Sequence, residues 1–323
     1  MEILFCTSPL NSKNVDNDYA REAQAASAYF TINYDALVNE NDISSALRRI
    51  PKTEKPRLAI YRGWMMTPEK YATFYHALAN FGVTLINTPK QYQHCHYFPE
   101  NYPIIQELTP KSIWIKNGDN FSIKAIMKAL EPFGSHPIIL KDYVKSQKHY
   151  WNEACFIRSA TNQSAVSKVV QRFLELQGGQ AEGGLVFREY VAFEPIGTHW
   201  KSGMPLTLEF RIFFLHKKPI AIYPYWDKGK YPLPPLERFR KIAQRVDSHF
   251  FTMDVAKSQY FGWLIVELGD AQVAGLPFSD LWTNITTVRF LLHTKLVATA
   301  SCNRAVLSTG VNSRETPGIT ILS

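Results

Sequence analysis

A cluster of basic side chains directly after an apolar segment is the strongest chemical feature of the sequence. Residues 137–140 are apolar and predict a buried strand, and Lys141, Lys145 and Lys148 follow within eight positions, with Ser146 among them. Three ammonium groups this close repel one another unless an anion lies between them. A phosphate chain is such an anion, and the Ser146 hydroxyl and backbone N–H groups could donate to it. The segment predicts phosphate binding, although a solvated basic loop would have the same composition.

Two strand-like segments carry acids in positions that suit nucleotide chemistry. In the segment 208–214, Glu209 and Arg211 alternate with apolar residues, so on a strand they would share one face. An arginine there could neutralise charge on a transferred phosphoryl group; a structural ion pair is the alternative. In the segment 187–191, Glu189 and backbone groups of an edge strand could recognise an adenine, and an ordinary sheet strand is the alternative there.

Three acids in a predicted hairpin could bind a metal ion. Asp254 lies in one strand, Glu267 lies at the end of the partner strand, and Asp270 lies in the turn that follows. Carboxylates from adjacent strands can bind Mg²⁺ while water and phosphate oxygens fill its other coordination positions. Acids at strand ends are common, so this spacing alone leaves a purely structural role open.

The elements that would position these residues divide the chain into two parts and a tail. Residues 1–110 alternate short apolar strands with amphipathic segments, which predicts a small α/β domain with a mostly parallel sheet. The predicted elements include a strand at 57–61, a helix at 18–30 and a helix that begins after Thr67. Residues 111–277 predict helices followed by antiparallel strands, the last of them at 271–274, and therefore an α+β domain. The tail at 278–323 has weak periodicity and no predicted role.

Length and composition limit the class of protein. With 323 residues and 46% hydrophobic content, the chain can bury a sizeable core. The net charge of +8 favours an anionic partner such as a nucleotide, a nucleic acid or an acidic peptide, although ordinary solubility charge would give the same balance. The four cysteines form no CxxC pair, which argues against a disulfide framework or zinc ribbon and favours a cytoplasmic location. No apolar run long enough for a membrane span occurs, so no membrane partner is expected.

The order of the motifs resembles the ATP-grasp superfamily. Glu209-Phe210-Arg211 stands where RimK-type ligases have Asp-x-Arg, and residues 267–270 stand where those ligases have Glu-x-Asn. The chain is more closely similar to the divergent clade that includes the cell-division-cycle-123 proteins, and to a bacterial and phage branch of it. The segments that carry this similarity are 61–65, 86–96, 141–146 and 267–277. The glycine-rich loop of ordinary ATP-grasp enzymes is replaced by the lysine- and serine-containing segment.

This resemblance implies an α/β N-terminal domain followed by an α+β ATP-grasp fold, with ATP and Mg²⁺ as cofactors. The implied site residues are Lys141, Lys145, Ser146, Glu189, Glu209 and Arg211 for the nucleotide, Arg211 and Lys145 for catalysis, and Asp254, Glu267 and Asp270 for the metal. Arg62 follows a predicted strand of the first domain and is the candidate for binding substrate, because ligands of open α/β sheets lie at the carboxyl ends of strands.

The predicted activity is that of an ATP-dependent carboxylate–amine ligase. ATP would phosphorylate a carboxylate of a protein, peptide or small molecule, and an amine would then displace the phosphate. The alternative is an ATP-binding assembly factor or chaperone of a protein partner, without ligase turnover. The net charge leaves nucleic acid open as a further partner.

Overall fold

The computed structural model of the chain describes residues 1–179, 181–226 and 228–276, and the tail at 278–323 lies outside the described residues. The N-terminal domain contains a four-stranded parallel sheet in the order β2-β1-β3-β4. Its strands are β1 Glu2–Cys6, β2 Phe30–Ile32, β3 Arg57–Arg62 and β4 Val83–Leu85. The predicted parallel α/β sheet is therefore confirmed.

The helices of this part begin at side chains that accept backbone N–H groups. They are α1 Ala20–Ala25, α2 Tyr34–Val38, α3 Ile43–Leu47, α4 Pro68–Ala79, α5 Pro89–His96 and α6 Phe98–Ile105. Thr67 accepts from the N–H of Lys70 before α4, and Pro68 occupies the first helical position, as the sequence predicts. Thr88 and Gln91 form a reciprocal capping box at α5.

The second sheet, called here the middle sheet, is antiparallel in the order β5-β8-β6-β7. Its strands are β5 Ser112–Lys116, β6 Ile138–Asp142, β7 Phe156–Ile157 and β8 Gly184–Glu189. Helices α7 Ile123–Leu130 and α8 Gln163–Leu176 pack their apolar residues against it in one core. Lys141 lies next to the end of β6, at the point where the chain leaves this sheet.

The third sheet, called here the C-terminal sheet, is antiparallel in the order β12-β11-β13-β14. A small hairpin of β9 Pro195–Thr198 and β10 Pro205–Thr207 precedes it. The sheet consists of β11 Glu209–Leu215, β12 Lys218–Pro224, β13 Phe250–Ser258 and β14 Gly262–Asp270, and α9 Leu236–Arg245 packs on it. Residues of both antiparallel sheets, including Val186 and Met253, share one hydrophobic core.

Two predicted elements are wrong in detail. The helix predicted at 18–30 ends at Ala25, because Ala26 is extended and Phe30 starts the edge strand β2. The strand predicted at 271–274 is a turn, because the N–H of Gln272 donates to the Asp270 carboxylate and closes the chain on itself. Both segments are apolar or alanine-rich, so their composition alone does not distinguish these conformations.

Further features of the described residues bear on the protein class. Cys6, Cys95 and Cys155 are buried free thiols. Of the helices described between residues 1 and 276, none is both long enough and apolar enough to cross a membrane.

Candidate active site

A row of charged side chains crosses three neighbouring strands of the C-terminal sheet. Arg211 on β11 lies opposite Asp254 on β13, and Asp254 lies opposite Glu267 on β14. Arg211 donates from Nε to Asp254 Oδ1 at 2.8 Å and from Nη2 to Oδ2 at 2.7 Å. Cross-strand partners in adjacent strands have neighbouring side chains. Arg211, Asp254 and Glu267, called here the charged row, are therefore brought together as the sequence predicts.

Strand alternation explains why this row forms on one face. Phe210, Ile212 and Met253, which flank members of the row, are buried in the hydrophobic core. Their polar neighbours must then lie on the opposite face of the sheet. The Glu-x-Arg pattern thus separates an apolar face that packs from a polar face that is free for chemistry.

Two lysines approach the charged row from the segment that leaves the middle sheet. Lys141 Nζ lies 3.5 Å from Glu267 Oε2 and 5.6 Å from the centre of the Phe98 ring. Lys148 Nζ lies 5.4 Å from the centre of the Tyr225 ring. The same ring lies 5.0 Å from the Arg211 guanidinium carbon. Cations from one sheet therefore face acids from the other.

These cations decide the ionisation of Glu267. Burial alone would raise the pKa of Glu267, but Lys141, Lys148 and other cations outweigh it and hold the pKa at about 2. The Glu267 side chain is still 31% exposed. A carboxylate that is ionised and partly open to solvent is available to bind a cation.

Glu209 has the opposite electrostatic environment. Its side chain is buried, and burial raises its pKa to about 7, with Asp254 and Glu267 adding to the effect and Lys148 opposing it. Thr207 donates to one of its oxygens at 3.4 Å. Two acids on one polar face thus differ in protonation near neutral pH, because only one of them lies close to Lys141.

The donor set of the charged row fits Mg²⁺ bound together with a phosphate chain. In the part of the chain that the structure describes, no three histidine, cysteine or acidic side chains are grouped so that they could hold a metal ion. Mg²⁺ commonly takes only one or two carboxylates, with phosphate oxygens and water completing the octahedron. Asp254 and Glu267 supply such a pair of carboxylates, and Lys141 and Lys148 match the charge of the phosphates.

The remaining residues predicted in the lysine segment lie around a turn that Asp142 organises. The Asp142 carboxylate accepts from the N–H of Val144 at 2.7 Å and of Lys145 at 2.5 Å. The Lys145 side chain is exposed, and Ser146 is half-buried. It is Lys148, three residues further on, that lies among the acids, so the roles of Lys145 and Ser146 stay predictions.

Glu189 lies at the opposite end of the middle sheet from Lys141. It pairs with Ile138 at the start of β6, and its Oε1 lies 3.4 Å from His136 Nδ1. The chain then passes through residues 190–193 to the hairpin beside the C-terminal sheet, where Gln259 donates to the carbonyl of Ala192 at 3.0 Å. Glu189 thus lies just before the connection between the two sheets, and its contact with adenine stays a prediction.

Arg62, the predicted substrate contact, lies in a buried interdomain contact. It is 2% exposed. It donates to both oxygens of Glu22 at 2.7 and 2.8 Å, and also to the carbonyl of Ala271. These bonds use its Nε and both Nη atoms. They favour a structural role for Arg62, and substrate binding by this residue stays a prediction.

Asp270, the third predicted metal ligand, is not brought together with Asp254 and Glu267. It is 1% exposed and accepts from Asn87 Nδ2 at 2.6 Å and from the N–H of Gln272 at 2.9 Å. Burial raises its pKa to about 6, against the hydrogen bonds that lower it. These contacts favour a structural role between the domains, and metal binding by Asp270 stays a prediction.

Sequence reasoning did not select three residues of this region: Lys148, Tyr225 and Arg188. Lys148 belongs to the same basic cluster, but a loop has no periodicity that would distinguish it from Lys145. Tyr225 directly follows β12 and contacts Lys148 and Arg211 through its ring. Arg188 lies one residue before Glu189, and the polar residue within an apolar strand was the available signal.

Comparisons with known proteins agree on the fold. Residues 132–288 match a family model described as an ATP-grasp domain, the third family of its clade. A RimK domain ATP-grasp protein from Sphaerobacter thermophilus superimposes with a TM-score of 0.56 at 12% identity, covering 90% of this chain and 99% of that one. D-alanine–D-alanine ligase from Bacillus anthracis, complexed with ATP, gives 0.55 at 10% identity, covering 91% and 97%.

A third similar structure is the macrocyclase MdnC from Microcystis aeruginosa, bound with the precursor peptide MdnA. It gives a TM-score of 0.50 at 11% identity and covers 90% of this chain and 99% of that one. No curated protein matches the chain. At these identities the similarity concerns the fold, and the family model adds the domain. The chain therefore contains an ATP-grasp domain and adopts the ATP-grasp fold.

Proposed function

We propose that this protein is an ATP-dependent carboxylate–amine ligase. The observation that carries the proposal is the position of Lys141 and Lys148 opposite the charged row, between the two antiparallel sheets of an ATP-grasp fold. In the proposed reaction a carboxylate oxygen attacks the γ-phosphorus of ATP and ADP leaves. An amine then attacks the acyl carbon of the acyl phosphate, phosphate leaves, and an amide forms.

The chain's own residues bind and orient in this proposal. Lys141 and Lys148 contact phosphate oxygens, and Arg211 faces the transferred phosphoryl group. Asp254 and Glu267 would hold Mg²⁺, which neutralises phosphate charge when it is bound. Arg211 is already fixed by Asp254 and by the carbonyl of Gly275 at 3.0 Å. A guanidinium that is held in place needs little reorganisation when charge develops beside it.

The chemistry of the acceptor is less narrowly supported than that of the nucleotide. Of the similar structures, one is a ligase of D-alanine and one is a macrocyclase bound with a precursor peptide. Both names are consistent with amino-acid or peptide substrates, so we propose a peptide, a protein or a small amino acid as the carboxylate or amine partner.

The first test measures Mg²⁺-dependent binding of a non-hydrolysable ATP analogue and release of ADP from ATP. We expect Lys141→Ala and Glu267→Ala to abolish ADP formation, because the first removes a phosphate contact and the second a metal ligand. The isosteric variant Glu267→Gln should lose Mg²⁺ dependence in the same way, since it keeps the shape and removes the charge.

A matched control is Lys168→Ala, which removes an exposed lysine from α8, outside the charged row. It should bind the analogue as the wild-type protein does. Full activity of both Lys141→Ala and Glu267→Ala would contradict the proposed site. Nucleotide binding without phosphate release, across amino-acid and peptide partners, would instead favour an ATP-binding assembly factor.

A further inference from the structure

The strand that carries Glu267 contains a β-bulge directly before it. Asp254 pairs with Glu267, whereas the next residue, Val255, pairs with Ile265, so Val266 is the extra residue. Ile265 and Leu268 both lie in the core although they are three positions apart. In a regular strand such residues point to opposite faces.

The bulge decides the face on which Glu267 lies. In an uninterrupted strand Glu267 would share the face of Ile265 and would point into the hydrophobic core. Because Val266 is absorbed by the bulge, Glu267 instead lies beside Asp254 on the polar face. Bulges are known to redirect side chains next to active sites.

Arg188 of the middle sheet holds the backbone of this bulge. Its guanidinium donates to the carbonyl of Val266 and, at 3.0 Å, to the carbonyl of Ile265. It also donates to Thr109 Oγ1 at 2.6 Å, and that hydroxyl donates to the carbonyl of Ile265 at 2.7 Å. The two carbonyls next to Glu267 are therefore bound by side chains from outside the C-terminal sheet.

Arg188 keeps these bonds although its burial is unfavourable. The residue is 8% exposed, and burial lowers its pKa to about 10. The carbon of its guanidinium lies 5.4 Å from the centre of the Phe98 ring, and Lys141 Nζ lies 5.6 Å from the same ring. Phe98 thus supports both the cation that contacts Glu267 and the cation that holds the bulge before it.

We propose that Arg188, assisted by Thr109, is a positioning residue that sets the orientation of Glu267 by fixing the bulge at Ile265 and Val266. Arg188 acts through the backbone of β14 and need not touch the nucleotide. The inference rests on the proposed function only for the ligand of Glu267, because the bulge and its hydrogen bonds belong to the protein alone.

The first experiment needs no ligand. Amide hydrogen exchange is measured in Arg188→Ala, in the wild-type protein and in Arg158→Ala, a control that removes an exposed arginine just after β7. We expect amides at 264–268 to exchange about tenfold faster in Arg188→Ala, because the loss of net hydrogen bonding permits local opening. Arg188→Lys, which keeps the charge but not the fork of donors, should lie between. Unchanged exchange at 264–268 in both Arg188 variants overturns the inference.

The second experiment titrates Mg²⁺ during binding of the non-hydrolysable ATP analogue. We expect Arg188→Ala to weaken the apparent Mg²⁺ affinity about 10–100-fold, as for residues that orient a metal ligand, with little change in analogue affinity without Mg²⁺. Thr109→Val should shift it less, and Thr109→Ser should restore it. If the wild-type protein binds no Mg²⁺–nucleotide, the proposed function fails while the exchange result still decides the inference. If the wild-type protein binds it and Arg188→Ala has the same Mg²⁺ dependence, the inference alone fails.

Discussion

The buried ion pair between Arg211 and Asp254 gives a stability prediction whose size follows from its burial. The two side chains are 14% and 2% exposed, with bonds of 2.8 and 2.7 Å between them. Removing one partner leaves the other charge buried without compensation, which costs about 3–5 kcal/mol, whereas an apolar replacement of both is often nearly neutral. We therefore expect Arg211→Met and Asp254→Leu each to lower the free energy of unfolding by about 3–5 kcal/mol. The double variant should lose much less than the sum.

Urea unfolding at neutral pH, followed by tryptophan fluorescence and circular dichroism, measures these free energies in a double-mutant cycle. The control is Arg240→Met, which breaks an ion pair with Glu237 whose side chains are 69% and 75% exposed. That change should cost less than about 1 kcal/mol, as exposed pairs do. The double variant should fold and yet form no ADP, since it lacks a proposed phosphate contact and a proposed metal ligand.

Two results would refute the reasoning. Single variants that cost less than about 1 kcal/mol would show that water screens the pair as it screens surface pairs. A double variant that loses the full sum of the two single losses would show that the side chains are not energetically coupled, contrary to their geometry.

Three further predictions test other parts of the structure. Because burial raises the pKa of Glu209 to about 7, the folded state binds more protons than the unfolded state between its ordinary pKa and that value, so this group stabilises less as pH rises; Glu209→Gln should remove that fall in the thermal midpoint between about pH 5 and pH 8, and an unaltered pH dependence would contradict it. Asn87→Ala removes four hydrogen bonds that join the domains and should lower the free energy of unfolding by about 2–4 kcal/mol, whereas the exposed control Asn152→Ala should not; equal midpoints would count against the contact. Lys148→Ala should weaken Mg²⁺–nucleotide binding about tenfold or more, measured by calorimetry, and an affinity equal to that of Lys168→Ala would exclude Lys148 from the site.

The charged row could be predicted because strand alternation determines it. Glu209 and Arg211 are two positions apart among apolar residues, and such a pattern has one face that packs and one that does not. Lys141 could be predicted for a similar reason, since it ends a continuous apolar strand. Asp254 and Glu267 followed from the predicted hairpin that joins their strands.

The rest depends on contacts between residues far apart in the chain. Which lysine of the loop lies among the acids depends on the turn that Asp142 caps, and the residue types alone do not contain that geometry. Nothing in the sequence Ile265-Val266-Glu267 indicates a bulge. Asp270 and Arg62 have residue types that suit a ligand site, and only their partners from the other domain show that they are structural contacts.

The network of Asn87, Asp270 and Gln272 has a consequence for how the cleft opens. Asn87 binds the backbone of β13 at Phe250, and Gln272 accepts from the N–H of Tyr61 at 3.2 Å. These buried bonds join the N-terminal domain and the C-terminal sheet into one rigid unit. Motion that admits nucleotide must then come from the middle sheet, rotating about the connection at 190–193. Such a rotation would separate Lys141 from Glu267, so each cycle of entry and exit would break and remake this one ion pair while both acids stay in place.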